Sequence, residues 1–103
     1  MGRITDKKIS AYISKVKKKF GAKVILFGSR AKGEPLDTSD YDFCVISEKF
    51  VAMDIRKRMQ LLYEMMIKSP FNADLLAVTP EEFKRLSKLS TIYQTISKEG
   101  ITV

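Results

Sequence analysis

A Gly-Ser pair and an Asp-x-Asp pair, each adjoining a short apolar run, constrain the fold of this chain more than any other feature. Gly28-Ser29 follows the apolar run 24–27, and Asp40 and Asp42 introduce the next apolar run. Glycine permits a sharp turn, and the amides that open a following helix lack partners, so this turn can bind phosphate oxygens. Residues two apart on a strand share a face, so both aspartates can hold the same cations. The pattern predicts a triphosphate and divalent metal at one edge of a sheet.

A third carboxylate, Asp74, lies in the apolar run 71–78, which is typical of a strand. Burying an unpaired carboxylate is costly, so Asp74 should lie at a solvent edge or face a cation. Carboxylates on two strands can hold two divalent ions, one binding a triphosphate and the other lowering the pKa of an attacking hydroxyl. We therefore predict Asp40, Asp42 and Asp74 as metal ligands and catalytic residues. The charge of Asp74 would favour deprotonation of the acceptor in place of a histidine base.

The residues around the Gly-Ser turn are predicted to bind the nucleotide. Gly28 and Ser29 would offer amides, and Ser29 a hydroxyl, to the phosphates that leave as pyrophosphate. Arg30 and Lys32 are nearby sources of positive charge, and which of them reaches a phosphate is open because consecutive helical positions point in different directions. Ser39 is expected to be a positioning residue. The predicted nucleotide-binding set is Gly28, Ser29, Arg30 and Ser39.

Composition narrows the chemistry further. The chain has no histidine and one cysteine, which excludes Ser-His-Asp hydrolysis, HExxH metalloproteases and most zinc sites. Oxygen ligands suit Mg²⁺ or Mn²⁺, so we expect a pair of Mg²⁺ ions, with Mn²⁺ as a substitute, beside the triphosphate. Cys44 is expected to be a core residue, as are Tyr41 and Phe43, which alternate with the aspartates.

The length of 103 residues and the 45% apolar content predict one globular domain over residues 1–103. No apolar run approaches the roughly 20 residues that span a bilayer, and the amino terminus lacks a secretory apolar segment. We therefore expect a cytoplasmic protein without a membrane segment. Homo-oligomers and hetero-oligomers both stay open.

The net charge of +7 allows two interpretations. Lysines crowd the first predicted helix, and Arg56, Lys57 and Arg58 lie on a later one. They can form solvated helix faces, or they can attract an anionic substrate or an acidic partner. The acidic residues concentrate around the proposed site, which argues against a uniformly basic nucleic-acid groove.

Hydrophobic periodicity and cap residues predict a mixture of helices and strands. The first helix should run from about 6 to 20, with a cap at Thr5 and Gly21 after its end. The other predicted elements are a strand at 24–27, a short helix from Ser29, a strand at 40–46, a helix at 51–67, a strand at 71–78, a helix after the capping box 79–82 that kinks between Ser87 and Ser90, and an edge strand at 101–103. Because the first strand is apolar on both faces, helices should cover both sides of the sheet. This predicts an α/β (α+β) fold, a small mixed β-sheet flanked by helices.

The helix predicted at 51–67 carries a wide apolar stripe. Its members are Ile55, Met59, Leu61, Leu62, Tyr63, Met65 and Met66. The stripe is wider than one core face requires, and methionine both fills core gaps and forms adaptable binding surfaces. The stripe is therefore either core packing or a surface that binds a partner.

The segment GSRAKGEPLDTSDYDFCV resembles the signature of the minimal nucleotidyltransferases, small members of the DNA polymerase beta superfamily. In that family a Gly-Ser turn precedes an acidic Asp-x-Asp strand. Asp74 falls where the third carboxylate of the family is expected. The resemblance covers nearly the whole chain and implies the nucleotidyltransferase fold.

This resemblance implies an activity and a partner that the residues alone do not. Similar proteins transfer a nucleoside monophosphate, often AMP from ATP, to a hydroxyl, which implies ATP or another nucleoside triphosphate as substrate. Many are paired with a HEPN-domain toxin and act as its antitoxin, in some pairs as a protein adenylyltransferase that modifies a toxin tyrosine. Larger members of the superfamily have a further domain for acceptor recognition, which this chain lacks. We therefore expect the acceptor to come from a protein that docks at the active-site edge.

Two other functions compete with this prediction. A noncatalytic binding module would neutralise its partner by contact alone, but it would not require three metal-binding carboxylates. A nucleic-acid binder would use the lysine-rich first helix, and its affinity would fall steeply as salt rises. We rank nucleic-acid binding last.

Overall fold

The computed structural model describes residue 4 and residues 6–28, 30–31 and 40–103. Within these residues the elements are α1 (Lys7–Phe20), β1 (Lys23–Phe27), β2 (Tyr41–Ile46), a 3₁₀ helix (Glu48–Ala52), α2 (Ile55–Glu64), β3 (Ala73–Val78), α3 (Pro80–Leu89), α4 (Thr91–Glu99) and β4 (Ile101–Thr102). The short helix predicted from Ser29 falls outside the described residues, apart from a turn at residues 30–31.

The strands form a mixed sheet in the order β3-β2-β1-β4. Strands β2 and β3 run parallel, whereas β1 is antiparallel to both β2 and β4. The register places Asp42 opposite Asp74 on one side and opposite Phe27 on the other. The α/β (α+β) prediction, a small mixed sheet flanked by helices, is confirmed.

Helices cover both faces of the sheet, as predicted. On one face, α1 and α2 pack against a core that includes Val16, Leu26 and Phe43. On the other face, α3 and α4 pack against a smaller core that includes Cys44 and Ile96. Cys44 and Phe43 are both fully buried, which confirms the prediction that they are core residues.

Local structure explains where α1 begins and ends and where α3 begins. Asp6, and not Thr5 as predicted, caps α1, because its carboxylate accepts from the Lys8 amide at 2.8 Å. Thr5 itself lies outside the described residues. Gly21 ends α1 in the left-handed conformation, with φ of 57°. The predicted capping box is confirmed at the start of α3, where Thr79 and Glu82 exchange hydrogen bonds.

Two predicted helix boundaries are wrong. The helix expected at 51–67 is a 3₁₀ helix over Glu48–Ala52 followed by α2, which begins only after Asp54 accepts from the Lys57 amide at 2.8 Å. The helix expected to kink between Ser87 and Ser90 is two separate helices. Ser90 is extended, with φ of −115° and ψ of 130°, so its conformation divides α3 from α4.

Arg58 is a structural residue, so neither of the two interpretations of the basic residues, a solvated face or attraction of an anionic partner, holds for it. It is 4% exposed. Its guanidinium donates to the carbonyls of Phe50, Met53 and Ala77 at 3.0–3.1 Å and forms a two-pronged pair with Glu82 at 2.7 and 3.2 Å. This one side chain ties α2 to the 3₁₀ helix, β3 and α3.

Within the part of the chain that the structure describes, no helix is both long enough and apolar enough to cross a bilayer.

Candidate active site

Asp42 and Asp74 meet at the edge of the sheet where β2 and β3 begin. They are direct neighbours in the parallel register. They lie close enough for the charge of Asp74, and a hydrogen bond with it, to raise the pKa of Asp42. Asp40, an exposed residue just before β2, adds a third negative charge that acts on Asp42. The structure therefore brings the three predicted carboxylates to the same edge, with Asp42 in the middle.

The electrostatics of this edge are unfavourable for Asp42. Partial burial raises its pKa first, and the charges of Asp74 and Asp40 raise it further. Burial disfavours the ionised form of a carboxyl group, and nearby like charges do the same. A divalent cation would reverse the charge effect, and a set of carboxylate oxygens is the donor type that Mg²⁺ and Mn²⁺ prefer. The chemistry of the donor set therefore fits a hard cation.

The carboxylates nevertheless do not form a closed ligand shell. In the described ranges, no group of three or more His, Cys, Asp or Glu side chains is arranged to hold a metal ion. The structure shows a close Asp42–Asp74 pair with Asp40 beside it. This acidic edge opens toward solvent, since Asp40 and Asp74 are both exposed.

Gly28 lies directly against the carboxylate of Asp42. It has φ of 77°, in the left-handed region that glycine adopts without strain. A Cβ atom at this position would collide with a carboxylate oxygen of Asp42 and lie 3.1 Å from its Cγ. The close approach follows from the pairing of Phe27 with Asp42. The end of β1 and the acidic edge are thus one site.

Arg30 packs on the ring of Tyr41. Its guanidinium carbon lies 4.1 Å from the ring centre, and Nη1 donates to the hydroxyl at 3.4 Å. Such a cation–π contact holds a flexible arginine in place. Tyr41 also stacks on Phe43 and packs against the α1-side core, as predicted. Because Tyr41 alternates with Asp42 along β2, Arg30 lies on the side of the sheet opposite to the Asp42 carboxylate.

The comparison with known families decides the assignment. A family model described as "Nucleotidyltransferase domain" matches residues 9–101. The chain belongs to this family. A comparison with curated proteins found no match.

Two solved structures have folds similar to that of this nucleotidyltransferase domain. A provisionally assigned nucleotidyltransferase from Sulfolobus solfataricus is similar, with a TM-score of 0.66 and 24% identity over 93% of this chain and 76% of that chain. BolA1 from Arabidopsis thaliana is also similar, with a TM-score of 0.57 and 18% identity over 75% of this chain and 96% of that chain. These two likenesses concern the fold alone.

Some predicted site residues of the nucleotidyltransferase domain stay predictions. Ser29, Lys32 and Ser39 lie outside the described residues. The contact between Arg30 and Tyr41 was missed by the sequence analysis, which placed Tyr41 in the core alone. The short separation of Arg30 from the start of β2 was the available signal, but it does not show which face of the sheet Arg30 would take.

Proposed function

We propose that this nucleotidyltransferase domain transfers a nucleoside monophosphate, in the first place AMP from ATP, to a hydroxyl group. One observation carries the proposal. Asp42 lies opposite Asp74 in the parallel register, and its carboxylate lies against a glycine that leaves no room for a side chain. Like charges on neighbouring residues are unfavourable, so their placement is better explained by a bound cation than by stability.

Asp42 and Asp74 would hold the metal, with Asp40 completing the ligand set from the exposed side. Bound Mg²⁺, or Mn²⁺, would neutralise the triphosphate and lower the pKa of the acceptor hydroxyl. In the reaction, the acceptor oxygen bonds to the α-phosphorus, the bond to the β-phosphate oxygen breaks, and pyrophosphate leaves. The acceptor proton passes to solvent at the exposed edge, where the negative charge of Asp74 favours its loss.

The turn at Gly28 would hold the leaving phosphates. The absence of a side chain lets the phosphates approach the backbone closely next to Asp42. Ser29 and Ser39 keep their predicted roles in this proposal. Arg30 packs on Tyr41, on the face of the sheet opposite to the Asp42 carboxylate, so it would contribute positive charge only from across the end of the sheet.

The acceptor would be a hydroxyl on a protein partner, with a HEPN-domain toxin as the candidate and this chain as its antitoxin. The resemblance to minimal nucleotidyltransferases supports this partner. Apolar residues at the surface of the α2 region also support a docked protein, since Ile55 is 58% exposed and Ile67 is 71% exposed. The apolar stripe of the sequence analysis is thus divided, because Leu62 and Met66 belong to the core.

The test is transfer of label from α-³²P-labelled ATP to a co-purified HEPN-domain partner in the presence of Mg²⁺. Wild-type protein should label the partner, and Asp42→Asn should not. Glu81→Gln, which changes an exposed acid on α3, serves as the matched control and should behave as wild type. If the partner is inhibited without any label transfer, and Asp42→Asn inhibits equally well, the chain is a noncatalytic binding module.

A further inference from the structure

A cavity of about 270 Å³ lies beside Gly28, next to the acidic edge. Its lining residues are Phe27, Gly28, Ala31, Ile92, Thr95 and Glu99. Gly28 lines this cavity and also lies against the Asp42 carboxylate, because a side chain at Gly28 would collide with Asp42. Gly28 lies between the acidic edge and the cavity, so a ligand bound at that edge can extend past Gly28 into the cavity.

The fold itself places α4 beside the Gly28 turn. Strand β4 follows α4 directly and pairs with β1, with Ile101 opposite Leu26. This pairing returns the carboxyl end of α4 to the end of β1. Residues Ile92, Thr95 and Glu99 follow one another at spacings of three and four, so they share one face of α4. That face forms the wall of the cavity opposite the turn.

The lining combines apolar walls with hydrogen-bond acceptors. Phe27, Ala31 and Ile92 supply apolar surface, and Ile92 is 50% exposed although it is a large aliphatic residue. Thr95 and Glu99 supply oxygen atoms. Ligand pockets typically have this composition, in which apolar walls bury a ring system and a few polar groups fix its orientation.

Glu99 has no structural role that would explain its position. Its carboxylate makes no hydrogen bond or ion pair to any residue that the structure describes. It is the last residue of α4. The negative end of the helix dipole lies there, so an acidic side chain is disfavoured at this position. A ligand that donates hydrogen bonds would give this carboxylate a partner.

We propose that the cavity binds the purine base of the nucleoside triphosphate, with the ring between Phe27 and Ile92 and its amino group donating to Glu99. This inference rests on the proposed function, which places the triphosphate at Gly28. The cavity lies just below the roughly 300–1,000 Å³ of pockets that bury a whole drug-sized ligand. It therefore suits one ring system, while the sugar and the phosphates lie outside it, toward Gly28 and Asp42.

The acceptor chemistry of Glu99 selects among the bases. An ionised carboxylate only accepts hydrogen bonds. Adenine and guanine both present an exocyclic amino group, and guanine adds an adjacent ring N–H that makes the contact two-pronged. Uracil presents one ring N–H between two carbonyls, which would face the carboxylate with like partial charge. We therefore expect ATP and GTP to bind in preference to UTP.

The experiment is calorimetric titration with Mg²⁺ and each of ATP, GTP, UTP and inorganic tripolyphosphate. In the wild type, ATP or GTP should bind about tenfold tighter than UTP and tripolyphosphate, the size of one base-stacking contact. Thr95→Phe fills the cavity and should reduce the affinity for ATP and GTP to that for tripolyphosphate. Glu99→Gln should weaken ATP and GTP binding by about three- to tenfold without changing tripolyphosphate binding.

Two controls keep the result interpretable. Glu81→Gln removes an exposed acid away from the cavity and should leave all four affinities unchanged. A thermal melt of each variant shows that it is folded.

The affinity for ATP or GTP, compared with the affinity for tripolyphosphate, tests the base site separately from the proposed function. If tripolyphosphate binds and these nucleotides bind no tighter, or if Thr95→Phe binds them as the wild type does, the base site is wrong while the proposed function stands. If none of the four ligands binds the wild type, the proposed function fails and the base site fails with it.

Discussion

Two charged clusters lie at opposite ends of the β2–β3 pair, and they differ in whether their charges are balanced. At the start of the strands, Asp42 lies opposite Asp74, and the pKa of Asp42 is raised by burial and by its acidic neighbours. At the other end, Arg58 pairs with Glu82, and hydrogen bonding to the guanidinium is the largest cause that lowers the pKa of Glu82. The balanced cluster stabilises the fold, whereas the unbalanced cluster is the proposed metal site.

The largest expected effect is on activity at the unbalanced cluster. Asp42→Asn and Asp74→Asn should each reduce nucleotidyl transfer by about a hundred- to a thousandfold, the loss seen when one group that stabilises developing charge is removed. Circular dichroism should show an unchanged fold. If either variant keeps wild-type turnover with ATP, GTP or UTP, the contrast between the two clusters does not hold.

The largest expected effect on stability is at the balanced cluster. Arg58→Met should lower the free energy of unfolding by about 3 kcal/mol, because it leaves Glu82 unpaired and removes the donor to three backbone carbonyls. Urea denaturation measures this loss. Arg56, an exposed residue on the same helix, provides the control. Arg56→Met should change the free energy of unfolding by less than about 0.5 kcal/mol. Equal effects of the two substitutions would show that Arg58 has no special structural role.

The two left-handed glycines offer a matched pair for the site. Gly21 and Gly28 have φ of 57° and 77°, but a Cβ on Gly21 would meet no atom within 4 Å, whereas one on Gly28 would collide with Asp42. Alanine at either position should cost about 1–2 kcal/mol of stability from the backbone conformation. Only Gly28→Ala should also reduce transfer, by about a hundredfold, because it displaces the carboxylate of Asp42, which we propose holds the metal. Kinetics of both variants under conditions where both are folded would reveal this difference.

Elements that depend on local sequence were well predicted. The apolar spacing of α1, the position of Gly21 after its end and the Thr79–Glu82 capping box are all set by residues a few positions apart. That Asp42 and Asp74 lie at the same edge was expected from two-metal chemistry and from the family resemblance, although the residues lie on different strands. The structural basis is the parallel pairing of β2 with β3, which brings the starts of both strands to one edge.

Features that depend on burial by distant residues were missed. Arg58 belongs to the sequence Arg56-Lys57-Arg58, which is typical of a solvated helix face, and its partner Glu82 lies 24 residues away. The 3₁₀ helix depends on Phe50, which is fully buried against Phe20. Periodicity within 51–67 could not reveal either contact. The wall that α4 contributes to the cavity at Gly28 was missed for the same reason, since it depends on the pairing of β4 with β1.

The stability contributed by the two clusters should change with pH in opposite directions, because the pKa of Glu82 is lowered and that of Asp42 is raised. Because the folded-state pKa of Glu82 lies below its ordinary value of 4.5, its contribution is complete above that pH and is lost as the pH falls through the folded value. Glu82→Gln lacks this loss, so its free energy of unfolding should approach that of the wild type as acid is added. Urea denaturation from pH 7 downward measures the gap. A gap that widens in acid would contradict the assignment of Glu82 to the balanced cluster.

The smallest expected effect is a gain of stability at the unbalanced cluster. In EDTA at pH 7, Asp42→Asn should raise the melting temperature by about 1–3 °C, because relieving an exposed like-charge contact is worth a few tenths of a kcal/mol. The sign follows from the raised pKa of Asp42. Below the ordinary pKa of 3.8 the Asp42 carboxyl does not destabilise the wild type, and the loss of stability develops as the pH rises through the higher folded value.

The gain in melting temperature of Asp42→Asn should therefore vanish in acid. At pH 7, Mg²⁺ should reverse this gain by stabilising the wild type alone. A variant that melts below the metal-free wild type would show that the Asp42–Asp74 contact stabilises the fold, and the contrast between the two clusters would no longer hold.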